Sequence, residues 1–291
     1  MSTRAITAVL AVVLIFGAFG VGVLATTPHS PSSLAATPTA AHTVVLEPAK
    51  LAAQAAILYD LQSGQVLYQK EAYDPLPLAS VAKLMTAEVV LSRKSPDTPV
   101  EITAADIKPE GDSKLRVGQT LLLRDLISLA LVASSNDAIE AAAHTLGSNY
   151  LMVMNETAQT LGLTKTRFYN ATGLDIDIQT AGAYGSAYDV TRLAALLYLD
   201  HPDFFELTTR SDIGINLDGG EIVLPATAVQ LHSLPGFVAA KTGYTDLAGG
   251  NLVAVFDLEP GHTVVAAILH STREGRFTDM KTLIESARIQ L

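Results

Sequence analysis

The longest unbroken apolar run stands at the start of the chain. Ala5 to Ala25 (AITAVLAVVLIFGAFGVGVLA) carries no charge over 21 residues, close to the ~20 that a helix needs to cross a bilayer. Arg4 precedes it and the next basic residue is Lys50, so everything after the run is expected on the far side of a membrane. A buried core helix is a poorer reading, because nothing polar marks a solvent face. Val23-Leu24-Ala25 offers a cleavage site, but a secretory apolar stretch usually spans only ~7–15 residues. Residues 1–25 are therefore read as a retained anchor in preference to a cleaved signal; cleavage after Ala25 would give a secreted protein. Residues 26–49 are rich in Thr, Pro, Ser and Ala, which cannot build a core and predicts an extended tether.

From Lys50 the pattern changes. Gln54–Tyr59 and Gln65–Gln69 predict two strands joined through Asp60–Gly64 as a hairpin. Leu78–Leu91 predicts a helix with Leu84, Ala87 and Leu91 on its apolar side. Residues 101–120 are polar and irregular, with Gly111 and Gly118 as turn points. Leu121–Val132 and Asn136–Leu146 predict two helices split by Ser134-Ser135, and Asn149–Leu161 and Asp189–Leu199 two more. Gly236–Ala240 is a short apolar run. Asn251–Leu258 and His262–His270 flank Glu259-Pro260-Gly261, a strong hairpin turn, and Thr278–Gln290 closes the chain as a helix. Strands at both ends and helices between them predict an α+β domain over residues 50–291, with an antiparallel sheet completed by both ends and a mostly helical subdomain inserted.

Composition narrows the chemistry. Nearly half of the 291 residues are apolar, enough for a sizeable core, and the net charge is −10. An acidic chain without a basic face is not expected to bind nucleic acid. There is no cysteine, which excludes disulfides, a thiol nucleophile and thiolate metal sites. None of the seven histidines has H-x-x-x-H spacing. Neither a metal nor a cofactor is expected.

Three short motifs remain. Ser80 and Lys83 stand three apart at a helix start, where their side chains share a face. A serine needs an adjacent base to act as a nucleophile, and a lysine is a base only when neutral, a state its reference pKa of ~10.4 makes rare at pH 7. Burial or a second cation would lower that pKa. By itself the pair is equally a serine and a lysine on an amphipathic helix. Ser134-Ser135-Asn136 lies between two helices, where Ser and Asn are favoured as caps and need no further role. Lys241-Thr242-Gly243 follows the apolar run, and a lysine at a strand end is usually a solvated edge residue. As a functional residue it would instead supply positive charge to a carboxylate and to Lys83, with Gly243 letting the backbone approach a ligand.

Taken together, S-x-x-K, S-x-N and K-T-G in this order resemble the signature of the penicillin-interacting serine enzymes. PLASVAKLMTA (77–87), LVASSNDAIEAAA (131–143), FYNATGLD (168–175), KTGYTDLAGGNLV (241–253) and REGRFTDMKTLI (273–284) are similar to the serine D-alanyl-D-alanine carboxypeptidases, over about residues 52–288. The resemblance implies a DD-peptidase/β-lactamase-like fold, an antiparallel sheet flanked by helices. It implies Ser80 as nucleophile, Lys83 as base, Ser134 and Asn136 as a second wall, and Lys241 and Thr242 as holders of a carboxylate. Gly243, Tyr244 and Thr245 complete the substrate-binding strand, and the Ser80 and Tyr244 N–H groups form an oxyanion hole. The implied substrates are peptidoglycan stem peptides ending in D-Ala-D-Ala, with β-lactams as inhibitors. Ser135 departs from the glycine often found there, and the sequence stops at Leu291 without the C-terminal β-rich domain and amphipathic tail of many members; the N-terminal helix is expected to do the anchoring. Arg273 and Arg276 are read as surface residues in preference to carboxylate ligands. A DD-endopeptidase would use the same residues. A class A β-lactamase would need a glutamate for its deacylating water, and no E-x-x-L-N is present: Glu156 is followed by TAQTL. A non-catalytic wall-binding module would have no use for a base beside a serine.

Overall fold

In the computed structural model, residues 50–107, 114–217 and 220–290 are described. The proposed anchor, the tether and the turn at Gly111 lie outside them. In chain order, β1 (Ala55–Asp60) and β2 (Val66–Lys70) form the first hairpin, and β3 (Leu76–Pro77) leads through a 3₁₀ turn (Ala79–Ala82) into α1 (Lys83–Leu91). β4 (Pro99–Glu101) and β5 (Thr120–Leu122) pair ahead of α2 (Leu123–Val132), α3 (Asn136–His144) and α4 (Tyr150–Thr160). β6 (Arg167–Phe168) and β7 (Ala183–Gly185) precede α5 (Ala187–Asp200) and the short α6 (Pro202–Phe205). A hairpin of β8 (Asp212–Leu217) and β9 (Gly220–Pro225) follows, then β10 (Phe237–Thr245), β11 (Gly249–Glu259), β12 (His262–Ser271) and α7 (Gly275–Gln290).

The main sheet is antiparallel, in the order β10-β11-β12-β1-β2. Both of its faces are covered. Ala55 and Ile57 of β1, Val253 and Val255 of β11 and Val265 and Ala267 of β12 pack with the helices α1 to α5. Their alternating neighbours, Ala56, Leu58, Ala254, Phe256, Val264 and Ala266, pack with Phe277, Met280, Leu283, Ile284 and Ala287 of α7. A strand buried on both sides has no polar positions to alternate with, which is why these strands appear in the sequence as continuous apolar runs. Each large side chain so buried contributes about 1.5–3 kcal/mol.

Several expected boundaries move. Leu78–Leu91 is not one α-helix, because Ala79–Ala82 is 3₁₀ and α1 starts only at Lys83. β4 and β5 pair across the two ends of the polar stretch 101–120, and because β5 takes Leu121 and Leu122, α2 begins at Leu123 instead of Leu121. α5 starts two residues earlier than expected because the Ser186 hydroxyl accepts from the Asp189 N–H at 3.0 Å, capping it. The β8–β9 hairpin and the small β3-β7-β6 sheet were not anticipated. The small sheet consists of strands of two or three residues, too short to show a period.

α1 is buried along its whole length, polar residues included. Glu88, 2 % exposed, faces the His201 ring with Oε2 3.8 Å from Nε2. Burial pushes its carboxyl up to about 7, helped by Asp200 and opposed by Arg93. The folded chain therefore holds a proton that the unfolded chain releases near pH 4.5. The associated stability, about 3 kcal/mol, is present below pH 4.5 and lost as the pH rises through 7. Glu88→Gln is expected to flatten this dependence, so that urea midpoints at pH 5 and pH 8 lie closer together than in the parent. An equal gap in both proteins would contradict the assignment.

Candidate active site

Ser80 sits in the 3₁₀ turn and Lys83 opens α1. A 3₁₀ turn has three residues per turn, so side chains at i and i+3 eclipse instead of being offset. The Lys83 amine accordingly donates to Ser80 Oγ at 2.7 Å. It also donates to Asn136 Oδ1 at 2.7 Å and to the Thr172 carbonyl at 3.0 Å. Lys83 is fully buried, whereas Ser80 keeps part of its surface open. Ala79, just before Ser80, has a left-handed backbone (φ 49°), a conformation that costs an L-residue roughly 1–2 kcal/mol.

The turn between α2 and α3 divides its labour. Ser135 is the cap: its hydroxyl accepts from the Ala138 N–H at 3.1 Å. Its two neighbours face the site. Asn136 meets Lys83, and Ser134, left-handed at φ 64°, accepts from the Lys241 amine at 2.8 Å. Capping and a role in the site are thus not rival readings, since they fall on different residues of one motif.

For Lys241, the solvated-edge alternative falls away. It lies in the middle of β10, which runs on to Thr245, and it is fully buried rather than a solvated edge residue. Thr242 is buried as well, its hydroxyl bonded to that of Thr227 at 2.7 Å. β10 is the edge of the sheet and lies against the Ser80 turn. A Cβ on Gly243 would stand 2.9 Å from the Leu78 carbonyl oxygen and 3.1 Å from the Ser80 nitrogen, a spacing only glycine satisfies without moving backbone. Tyr244 is 37 % exposed, with the Arg273 guanidinium 3.8 Å from its ring centre. Thr245 Oγ1 donates to Asp175 Oδ1 at 2.9 Å.

The nine residues predicted for the site therefore converge on one cleft between β10, the Ser80 turn and the α2–α3 turn. The sequence reading missed its back wall, residues 170–175. Asn170 Oδ1 accepts from the Gly173 N–H at 2.7 Å and its amide donates to the Leu174 carbonyl, which holds the Thr172 carbonyl on Lys83. In the sequence N-A-T-G-L-D carries only the resemblance; Asn170 with Gly173 three positions on is the signal, a side-chain-closed turn, that could have placed it. Arg276 was read as a surface residue, yet its Nη1 donates to the Gly243 carbonyl at 2.6 Å. Glu156, by contrast, lies on an exposed position of α4. Among the described residues no group of three or more His, Asp or Glu is placed to hold a metal.

Residues 41–272 match the D-alanyl-D-alanine carboxypeptidase family. The chain belongs to that family. It is 30 % identical over 229 residues to a D-alanyl-D-alanine carboxypeptidase of Mycobacterium tuberculosis, covering 77 % of each chain. It is 28 % identical over 283 residues to a D-alanyl-D-alanine endopeptidase of Escherichia coli, covering 93 % of this chain and 88 % of that one. The crystal structure of penicillin-binding protein D2 of Listeria monocytogenes in its ampicillin-bound form superposes with a TM-score of 0.72 at 32 % identity, over 82 % of this chain and 98 % of that one. The α+β, DD-peptidase fold expected from the sequence is the one found, and the chain is a serine-type hydrolase of the D-alanyl-D-alanine carboxypeptidase family.

Proposed function

We propose that Ser80 is the acylated nucleophile of a D-alanyl-D-alanine carboxypeptidase acting on peptidoglycan stem peptides. The observation that carries this reading is the buried Lys83 amine, hydrogen-bonded at 2.7 Å to the Ser80 hydroxyl. Ser80 Oγ attacks the carbonyl carbon of the penultimate D-Ala as its proton passes to the lone pair of a neutral Lys83 amine, whose two N–H bonds serve Asn136 Oδ1 and the Thr172 carbonyl. The resulting oxyanion is held by the backbone N–H groups of Ser80 and Tyr244. Its collapse breaks the C–N bond, and the leaving D-Ala nitrogen takes a proton through Ser134 or Lys83. Water then hydrolyses the Ser80 ester. Lys241 and Thr242 hold the substrate carboxylate, and Asn136, pinned by Lys83, faces the peptide.

A β-lactam carries an acyl group and a carboxylate at comparable spacing, so it is expected to acylate the same serine. The cleft is proposed to work on the extracytoplasmic side of a bacterial membrane, tethered through residues 5–25. No helix among the described residues is long and apolar enough to cross a membrane, so this rests on the apolar run and on Arg4.

The test is intact-mass analysis of the full-length chain in mild detergent after incubation with benzylpenicillin, with the adduct mapped by peptide digestion. D-Ala release from a stem pentapeptide is assayed in parallel. One penicilloyl adduct on the peptide containing Ser80, together with free D-Ala, is the expected result. No adduct and no D-Ala from folded protein would remove the assignment. Cleavage of a crosslinked dimer without release from the monomer would replace it with the endopeptidase reading.

A further inference from the structure

The turn after β12 brings two arginines to β10, one onto the Gly243 carbonyl and one onto the Tyr244 ring. It crosses β11 at Gly250, where a side chain's first carbon would stand 2.1 Å from the Thr272 carbonyl oxygen; Gly250 is the register partner of Tyr244. From that turn Arg273 lies on the Tyr244 ring, and Arg276, in the first turn of α7, donates to the Gly243 carbonyl at 2.6 Å. The Gly243 carbonyl and the Tyr244 N–H are the two ends of one amide.

We propose that Arg276 is a positioning residue for the oxyanion hole, acting through the Gly243–Tyr244 amide to orient and strengthen the Tyr244 N–H donor. This rests on the reading above, in which that N–H faces the tetrahedral oxyanion. The amide is conjugated and planar. A cation hydrogen-bonded to its oxygen draws electron density from its nitrogen, which makes the N–H more acidic and a better donor. The bond also fixes the plane of the unit, and with it the direction of the N–H. Both effects grow as water is excluded, and burial here is enough to push the Arg276 pKa down, with Glu274 raising it and Arg273 lowering it further. Its Nε–H, also buried, has no hydrogen-bond partner among the described residues. A guanidinium kept in so costly a place, with one bond directed at a main-chain carbonyl, has its effect at that carbonyl.

The test compares wild type, Arg276→Met and Arg276→Lys as full-length chains. Three quantities are read: the acylation rate constant with benzylpenicillin at saturation, the dissociation constant of the complex before acylation, and the infrared stretch of the acyl-enzyme ester carbonyl. Loss of a whole oxyanion donor slows a reaction about 10²–10³-fold, so weakening one is expected to cost about tenfold or more in the rate constant. The binding constant should stay within about twofold, and the ester stretch should move to higher wavenumber as the carbonyl is polarised less. Arg276→Lys, which keeps a charged donor, should recover part of both the rate and the stretch. A rate constant and stretch equal to wild type in Arg276→Met would overturn the proposal. So would a loss confined to the binding constant, which would make Arg276 a ligand-binding residue instead. If Arg276→Met fails to fold, Arg276→Lys decides alone, and an unmoved stretch and rate constant count against the proposal. An unacylated wild type would instead overturn the assignment of Ser80, so the two failures are distinct.

Discussion

Replacing Lys83 with methionine is expected to slow acylation of Ser80 by benzylpenicillin about a thousandfold, the middle of the range for a general base. Methionine fills much the same volume and offers no acceptor for the serine proton. The substitution also strands the Asn136 Oδ1 and the Thr172 carbonyl that the amine now serves, and each buried acceptor left unpaired costs about 1–3 kcal/mol. A lower melting temperature is therefore expected too, and the rate has to be measured well below it. Lys83→Arg separates the two contributions. It restores a buried cation with donors to spare, but a guanidinium does not give up its proton in a protein. If Lys83 acts as a base, the arginine variant is as slow as the methionine variant while being more stable. If its work is only to hold charge near Ser80, the arginine variant recovers most of the rate. A time course of adduct mass distinguishes these outcomes, and acylation within tenfold of wild type in folded Lys83→Met would dispose of the base altogether.

Gly173→Ala should be severely damaging, since among the described glycines compared its added methyl meets main chain at the shortest distance. Gly173 has φ 79°, and a Cβ built on it would lie 1.8 Å from the Ala79 carbonyl oxygen and 2.5 Å from its carbon. Those atoms are main chain and have no rotamer to escape into. The left-handed conformation alone costs alanine roughly 1–2 kcal/mol, and relief of the overlap requires the 170–175 loop and the Ser80 turn to part. A loss exceeding about 4 kcal/mol is expected, in the range reserved for severe core lesions, seen as a shifted urea midpoint. Whatever folded fraction survives should acylate poorly, because the loop that withdraws carries the Thr172 carbonyl away from Lys83. A midpoint within about 1 kcal/mol of the parent would mean that the two segments are not packed as described.

Legibility followed the physics of each element. The strands of the main sheet are long apolar runs between turn residues, so β11 and β12 were visible from their composition and from Pro260-Gly261. The 3₁₀ character of the Ser80 turn was not, since a helix start of either kind has the same side-chain preferences, yet it is this geometry that aligns Ser80 with Lys83. By itself the K-T-G motif left Lys241 open between a solvated edge residue and a site residue, because a lysine after an apolar run resembles a strand end. What decides between them is its hydrogen bond to Ser134, more than a hundred positions away in the sequence. Arg276 and Asp175 were missed for the same reason: their partners, the Gly243 carbonyl and Thr245, are brought to them only by the tertiary fold. The β8–β9 hairpin does alternate, with Ile213 and Ile215 buried between exposed Asp212, Gly214 and Asn216, and Leu224 buried beside exposed Val223, so its period of two was legible in the sequence and went unused.

The order of the sheet also sets a timetable for the chain. β1 lies between β2 and β12, with Ala55 opposite Leu269 and Asp60 opposite Val264, so a segment made before the helices has to wait for one made some two hundred residues later. Until β12 has emerged, Ile57 and Leu58, both sealed in the finished sheet, face whatever else is near. Long-range pairing of this kind folds slowly, because the entropy of closing the loop is lost before any contact rewards it. The Ser80 turn, synthesised early, has no β10 to lie against until the same late moment. A truncated or stalled chain would thus be inert as well as unfolded: the cleft is assembled in the closing step of folding, and half-made molecules have no opportunity to react.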